Sequence, residues 1–292
     1  MKEIKIEAPA KINLSLDIID VEDDGYHKLE MIMQTINLHD IITIKEASNK
    51  EIKLYNINSD LPVDNRNLAY QAAELILNEA NLHKGVNITI EKNIPVAAGL
   101  AGGSTDAAGV LKGINELFDL NFSYEKLKKL GAQLGMDVPF CLKGGTALAT
   151  GKGDIITPLP DLVPQELVLI NPSSKLLTSE VYKKYDELYE NNTNRVQVPT
   201  SKLIKVIKNN DDIRGNEGWV NVLELAAETM DEDIKTVKKM LEKFNPKLTM
   251  MTGSGPTVFA ILHDKKQGLD IKNNWTRDND IVITSSTVKR SS

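Results

Sequence analysis

The chain has 292 residues, 41% hydrophobic and 26% charged, and its 35 Lys+Arg against 41 Asp+Glu leave a formal net charge of −6. The length predicts one large domain or two of ordinary size, at roughly 100–200 residues each, and the composition excludes a chain that is disordered throughout. The mild negative charge and 5% aromatic content argue against nucleic acid as the main partner, because that affinity draws on Lys and Arg neutralising phosphates.

The chain opens on strands. Ile4 and Ile6 alternate with charges, and Ala8-Pro-Ala10 is expected to break that run. In Lys11-Ile-Asn-Leu-Ser-Leu-Asp-Ile18 the apolar residues Ile12, Leu14, Leu16 and Ile18 point one way and Lys11, Asn13, Ser15 and Asp17 the other. Lys11 and Asn13 thus share a polar face, about 6–7 Å apart along the strand. Glu22-Asp-Asp-Gly-Tyr-His27 reads as a turn, and residues 29–38 and 40–47 as two further strands.

From Asn67 the period becomes helical: Leu68, Ala72, Leu75, Ile76 and Ala80 form a stripe capped by Asn65 or Asn67. Residues 86–90 are a strand, and a Gly-rich segment leads into a helix carrying Ala107, Val110, Leu111, Ile114, Leu117 and Phe118. Ser123 caps another helix, closed by Gly135. Gly-rich residues 144–157 precede Pro158-Leu-Pro160, where a domain boundary is expected.

Strand 166–170 opens the second half, and Asp231-Glu-Asp233 starts a helix with Ile234, Val237, Met240, Leu241 and Phe244 inward. Residues 191–194 and 209–212 read as loops, and 248–252 and 257–262 as a hairpin around Gly253-Ser-Gly255. A strand at 280–285 closes the chain. Mixed strands and helices without steady alternation predict an α+β fold.

No apolar run approaches the ~18 residues of a membrane span, and residues 1–7 lack the apolar region of a signal peptide. A cytoplasmic protein without a membrane partner is therefore expected. Cys141 is the sole cysteine, so an internal disulfide or cysteine metal cluster is excluded. His27, His39, His83 and His263 are scattered, without metal-ligand spacing.

Gly99-Leu-Ala-Gly-Gly-Ser-Thr-Asp106 carries the most chemistry. Its glycines let backbone N–H groups crowd around an anion, and the helix that follows points its positive end at the same place. Ser104 and Thr105 add hydroxyls for a phosphate or Mg²⁺. A flexible strand-to-helix connection would use the same residues. Gly145–Gly151 fails the Walker A spacing, and Gly253-Ser-Gly255 fails the dinucleotide fingerprint.

Asp137, in Leu134-Gly-Met-Asp-Val-Pro-Phe140, is either a turn or cap residue or a proton acceptor; Lys11 is either a solvated strand lysine or its charge partner in phosphoryl transfer. Gly25-Tyr26-His27 offers a ring and an imidazole to a planar base, or packs its own hairpin.

Three motifs in order change the weight of these readings. Pro9-Ala-Lys-Ile-Asn-Leu14, Pro95-x3-Gly-Leu-Ala-Gly-Gly-Ser-Thr-Asp-Ala-Ala108 and Thr252-Gly-Ser-Gly-Pro-Thr257 resemble those of the GHMP small-molecule kinases. Asp24-Gly-Tyr-His27, Asn65-Arg-Asn-Leu68 and Leu134-Gly-Met-Asp-Val-Pro-Phe140 are similar to the branch whose substrate is a methylerythritol linked to cytidine diphosphate.

The resemblance implies a ribosomal S5 domain 2-like ATP-binding domain over 1–158 and a ferredoxin-like substrate domain over 159–292, with the last strand free to return to the first domain and the active site in the cleft between them. It implies transfer of the ATP γ-phosphoryl to the 2-hydroxyl of the methylerythritol, with Lys11 and Asp137 as the catalytic pair. Pro95, Val96, Ala97, Ala98, Gly99, Leu100, Ala101, Gly102, Gly103, Ser104 and Thr105 would wrap ATP, with Asn65 near adenine. Asn13, Tyr26, His27, Asp137, Lys152, Thr178 and Tyr182 would meet the substrate, Tyr26 and Tyr182 covering the two faces of the cytosine.

Mg²⁺ would come with ATP, held through phosphate oxygens and waters, with Ser104 or Thr105 as the nearest hydroxyls. Ala101 and Thr105 stand where many members carry Gly and Ser. A kinase for another small alcohol and a catalytically silent nucleotide or metabolite sensor are the two competing readings. Gly25-Tyr26-His27 speaks against the first, and the retained Lys11 and Asp137 against the second.

Overall fold

The computed structural model describes residues 2–22, 25–189, 196–214 and 217–290. Its first half runs β1 (Glu3–Val21), β2 (His27–Ala47), β3 (Ile52–Ile57), α1 (Leu68–Glu79), β4 (Gly85–Glu91), α2 (Gly102–Leu117), α3 (Tyr124–Leu134), α4 (Val138–Lys143), β5 (Thr146–Gly151) and β6 (Ile155–Pro158). The second runs β7 (Glu166–Asn171), α5 (Thr178–Tyr189), α6 (Thr200–Asn209), α7 (Glu224–Met230), α8 (Glu232–Glu242), β8 (Leu248–Met251), β9 (Val258–Leu262), α9 (Lys265–Asn274) and β10 (Ile281–Ser286). Among the described residues no helix is long and apolar enough to cross a membrane.

Two compact units share the described residues, one drawn from Met1–Ala10, Leu38–Val96 and Ala101–Gly144, the other from Lys11–Asn37, Ala97–Leu100 and Gly145–Ser292. In the first, the end of β2 pairs antiparallel with β4, Ile42 opposite Ile90 and Ile44 opposite Ile88, and β4 pairs parallel with β3. Helices α1, α2, α3 and α4 pack on one another. Gly109 and Gly113 seat α2 on the strands: a Cβ on either would stand 2.6 Å from the Cδ1 of Ile42 or Ile44, respectively. That close seating fixes where the N-terminus of α2 emerges.

In the second unit, the start of β2 pairs with β5, Met31 opposite Ala149, and β5 with β6. Strands β7–β10 form a separate sheet in the order β10-β7-β9-β8. All its pairings are antiparallel. With α5–α8 following β7 and α9 following β9, this is the ferredoxin-like arrangement. Helix α8 packs on β8 and β9, and α9 on β7, β9 and β10. Beyond β10, Thr287 bridges Ile36 and Val288 N donates to Thr35 O at 2.9 Å.

Several expectations need correction. β1 does not break at Pro9; β2 is its one described strand neighbour, and edge strands tolerate proline. Residues 29–38 and 40–47 are one strand, not two. The face bearing Lys11, Asn13, Ser15 and Asp17 is buried like the apolar one. It is satisfied from afar: Ser15 Oγ accepts from Ile32 N at 3.3 Å and Asp17 Oδ2 from Val198 N at 3.0 Å.

Helix α2 begins at Gly102, so half of the expected loop is its first turn. Gly135 closes α3 with extended backbone, φ 173°, rather than a left-handed one. Gly25 N donates to Glu22 O at 2.8 Å in the expected turn, whose residues 23 and 24 lie outside the described residues, as does the expected loop at 191–194.

Candidate active site

The second unit gathers parts of all three motifs. Lys11 N donates to Leu100 O at 3.2 Å, and Lys11 Nζ to Asn13 Oδ1 at 2.8 Å. Asn13 N in turn donates to Thr252 Oγ1 at 3.0 Å. Gly99 and Gly253 both have positive φ, +73° and +59°. A Cβ on Gly99 would lie 2.4 Å from Thr252 O, and one on Gly253 3.1 Å from Gly99 O and 3.4 Å from Lys11 Nζ. The two backbones therefore touch beside the lysine, and only glycine permits it.

Asn221, which sequence reasoning passed over, secures that turn. Its Nδ2 donates to Met251 O at 3.0 Å and Gly253 O at 2.7 Å, and its Oδ1 accepts from Leu223 N at 3.1 Å. No local pattern marks it.

The remainder of the phosphate segment, residues 95–96 and 101–105, belongs to the first unit. Ala97 and Ala101 both sit in the left-handed region, φ +53° and +59°, a conformation that disfavours a Cβ. Ala101 caps α2 without a side-chain hydrogen bond to its first-turn N–H groups, and N–H groups at a helix start can hold an anion. Thr105 is buried and its Oγ1 donates to Pro9 O at 2.7 Å. Ser104 is half-buried and Gly103 exposed.

Behind that first turn lies a charge cluster that sequence reasoning also missed. Lys92 Nζ donates to Asp40 Oδ2 and, at 2.7 Å, to Asp106 Oδ2; all three side chains are buried. Asp40 Oδ1 also accepts from Asn93 N at 2.6 Å and Ile94 N at 2.9 Å. Asp106 Oδ1 is buried without a hydrogen-bond partner. Burial pushes the Asp106 carboxyl up to about 7, the Lys92 charge opposing and the Asp40 charge adding to the shift.

Asp137 stands just past the end of α3, at the start of α4; it is half-buried and takes no capping hydrogen bond from α4. Asn67, not Asn65, caps α1, accepting from Ala69 N at 2.9 Å. Asn65 is exposed, with its carbonyl accepting from Gln71 Nε2 at 2.8 Å.

The residues expected at a base meet within the second unit. Lys152 Nζ lies 3.9 Å from the centre of the Tyr26 ring, a cation–π contact, and 3.8 Å from Glu22 Oε2. The His27 and Tyr182 rings are 4.8 Å apart, inclined at 45°. Thr178 Oγ1 and Ser254 Oγ are 2.9 Å apart, which ties the start of α5 to the turn beside Lys11. Asp186, not anticipated, bonds His27. Its i+4 spacing from Tyr182 places both on one face of α5, a signal available in the sequence.

Among the described residues no group of three or more His, Cys, Asp or Glu side chains could hold a metal ion.

Models of the GHMP kinases N terminal domain and the GHMP kinases C terminal domain match residues 67–145 and 207–280. A 4-diphosphocytidyl-2-C-methyl-D-erythritol kinase of Clostridioides difficile is 44% identical over 271 residues, 92% of this chain and 90% of that one. The Clostridium tetani protein of the same name is 44% identical over 258 residues, 88% of this chain and 90% of its own. A crystal structure of 4-(cytidine 5'-diphospho)-2C-methyl-D-erythritol kinase superposes with a TM-score of 0.80 at 28% identity, covering 97% of this chain and 99% of that one. A homoserine kinase from Cytophaga hutchinsonii shares the fold, with a TM-score of 0.77 at 18% identity over 99% and 96% of the two chains.

Proposed function

The chain belongs to the 4-diphosphocytidyl-2-C-methyl-D-erythritol kinases of the GHMP kinase superfamily, and from that membership we propose which of its residues carry the reaction. It phosphorylates cytidine-diphosphate-linked methylerythritol, with ATP as the donor, in the non-mevalonate route to isoprenoid precursors. The acceptor is the 2-hydroxyl. Its oxygen attacks the γ-phosphorus, the bond from that phosphorus to the β-bridging oxygen breaks, ADP leaves, and the hydroxyl proton passes to the Asp137 carboxylate.

Such a transfer depends on positioning and charge stabilisation more than on covalent catalysis. The Lys11 ammonium, held by Asn13 Oδ1, favours alkoxide character at the attacking oxygen, and Asn13 orients the substrate. Residues 95–105 wrap the ATP phosphates, with Asn65 on the adenine side. Mg²⁺ bound to ATP would supply charge neutralisation at the phosphate oxygens. Ser104 is the hydroxyl that reaches them, because the Thr105 hydroxyl is committed to the Pro9 carbonyl. ATP binding falls within residues 1–158, and Thr178 and Tyr182 bring the substrate contacts of residues 159–292. The reaction takes place in the cytoplasm.

One observation supports a base-bearing substrate over a small aliphatic alcohol: Tyr26, His27, Lys152 and Tyr182 gather in one unit, two as a cation–π pair and two as a ring pair. Mevalonate and homoserine have no ring for them to hold. Phosphorus NMR of the products, with 4-diphosphocytidyl-methylerythritol, mevalonate and homoserine offered separately with ATP, tests the reading. A new phosphomonoester at position 2 of the first substrate alone is expected. Turnover of mevalonate or homoserine would discard the base site, and ATP binding without any turnover would favour a sensor.

A further inference from the structure

His27 Nε2 lies 2.8 Å from Asp186 Oδ1, the imidazole 11% and the carboxylate 47% exposed. An ionised carboxylate can only accept hydrogen bonds, so this contact puts the proton on Nε2. In the neutral ring Nδ1 is then a lone pair. Tyr182, one turn before Asp186 on α5, holds the imidazole from a second direction, with ring centres 4.8 Å apart. The imidazole thus offers a neighbour an acceptor at Nδ1 and no further N–H.

We infer that Asp186 is a positioning residue that sets the base specificity of the substrate site: by holding the proton on His27 Nε2 it leaves Nδ1 as an acceptor that takes a pyrimidine bearing an exocyclic amino group and rejects one bearing a carbonyl in its place. The inference rests on the assignment of His27 to the base. The amino group of cytosine brings two N–H donors. Uracil presents only lone pairs at that ring position, and they would face the lone pair of Nδ1. Sites built around such a hydrogen bond discriminate strongly, since the wrong ligand leaves partly buried polar groups unpaired. An asparagine at 186 removes the constraint, because its amide can donate to Nε2 and allow the proton onto Nδ1.

The test compares kcat/KM for cytidine- and uridine-diphosphate-linked methylerythritol in the wild type, Asp186→Asn, Asp186→Ala and His27→Ala. Side-chain ¹⁵N NMR of histidine-labelled protein, with His27→Ala identifying the signal, reads the tautomer. The wild type is expected to prefer the cytidine substrate by at least about 100-fold and to show a single Nε2–H tautomer. Asp186→Asn should lower that preference at least about tenfold through KM, with kcat for the cytidine substrate within about threefold, and should mix the tautomers.

An unchanged preference and tautomer in both Asp186 variants, with the preference lost in His27→Ala, would overturn the inference and leave the base assignment standing. An unchanged KM and preference in His27→Ala would overturn both.

Discussion

Lys11 Nζ donates to Asn13 Oδ1 at 2.8 Å, both side chains being buried, and a Cβ on Gly253 would lie 3.4 Å from that ammonium and 3.1 Å from Gly99 O. The Asn13 bond orients the lysine. Removing it should act on the chemical step: Lys11→Met is expected to lower kcat by about 10²–10³-fold while changing KM for ATP less than about threefold. Steady-state kinetics with circular dichroism as a folding check would show it. A loss confined to KM would make Lys11 a binding residue only.

The cluster of Lys92, Asp40 and Asp106 predicts a pH dependence of stability. Asp106 titrates at about 7 in the folded protein against 3.8 ordinarily. A raised pKa means the folded chain binds the proton more tightly, so its contribution is fully present below about pH 3.8 and is lost as pH rises through about 7. Asp106→Asn, which mimics the protonated acid, should flatten the fall in unfolding free energy between pH 4.5 and 8 by on the order of 1 kcal/mol or more. Urea unfolding at the two pH values measures it, and parallel wild-type and variant curves would remove Asp106 as the cause.

Ala101 predicts a stabilising change. It caps α2 at φ +59°, where a Cβ is strained and glycine is not. Ala101→Gly gives back some of that relief through the greater freedom of the unfolded chain, so a net gain of about 0.5 kcal/mol is expected, with kcat unchanged. Thermal unfolding reads the first and turnover the second. A lower melting temperature would show that the turn needs the methyl group for packing.

Much of this site was legible because its carriers are local. Pro95 to Asp106 is a contiguous run whose glycines and following helix announce an anion site, and the alternation in residues 11–18 places Lys11 and Asn13 on one side of a strand. Local reading erred where partners come from far along the chain. The polar face of β1 is buried, with Asn13 N bonded to Thr252 Oγ1 and Asp17 to Val198 N, partners that no local pattern in residues 11–18 announces.

Asp186 meets His27 from 159 residues away, and Lys92 meets Asp40 from 52. Spacing on α5 sets Asp186 beside Tyr182, but no periodicity encodes the long-range pairings, which packing brings about. Glycine, serine and threonine at the first turn of α2 have low helix propensity, a preference overridden by the tight seat of Gly109 and Gly113 on Ile42 and Ile44.

If Asp137 takes the proton in phosphoryl transfer to the cytidylyl substrate, Asp137→Ala must lose turnover while keeping its fold and its substrate affinity. ATP consumption with 4-diphosphocytidyl-methylerythritol would be followed in the wild type and the variant, with substrate affinity measured calorimetrically in both. Substrate affinity is expected within about tenfold of wild type, with kcat reduced by about 10²–10⁴-fold. Near wild-type turnover by a folded Asp137→Ala protein would contradict it.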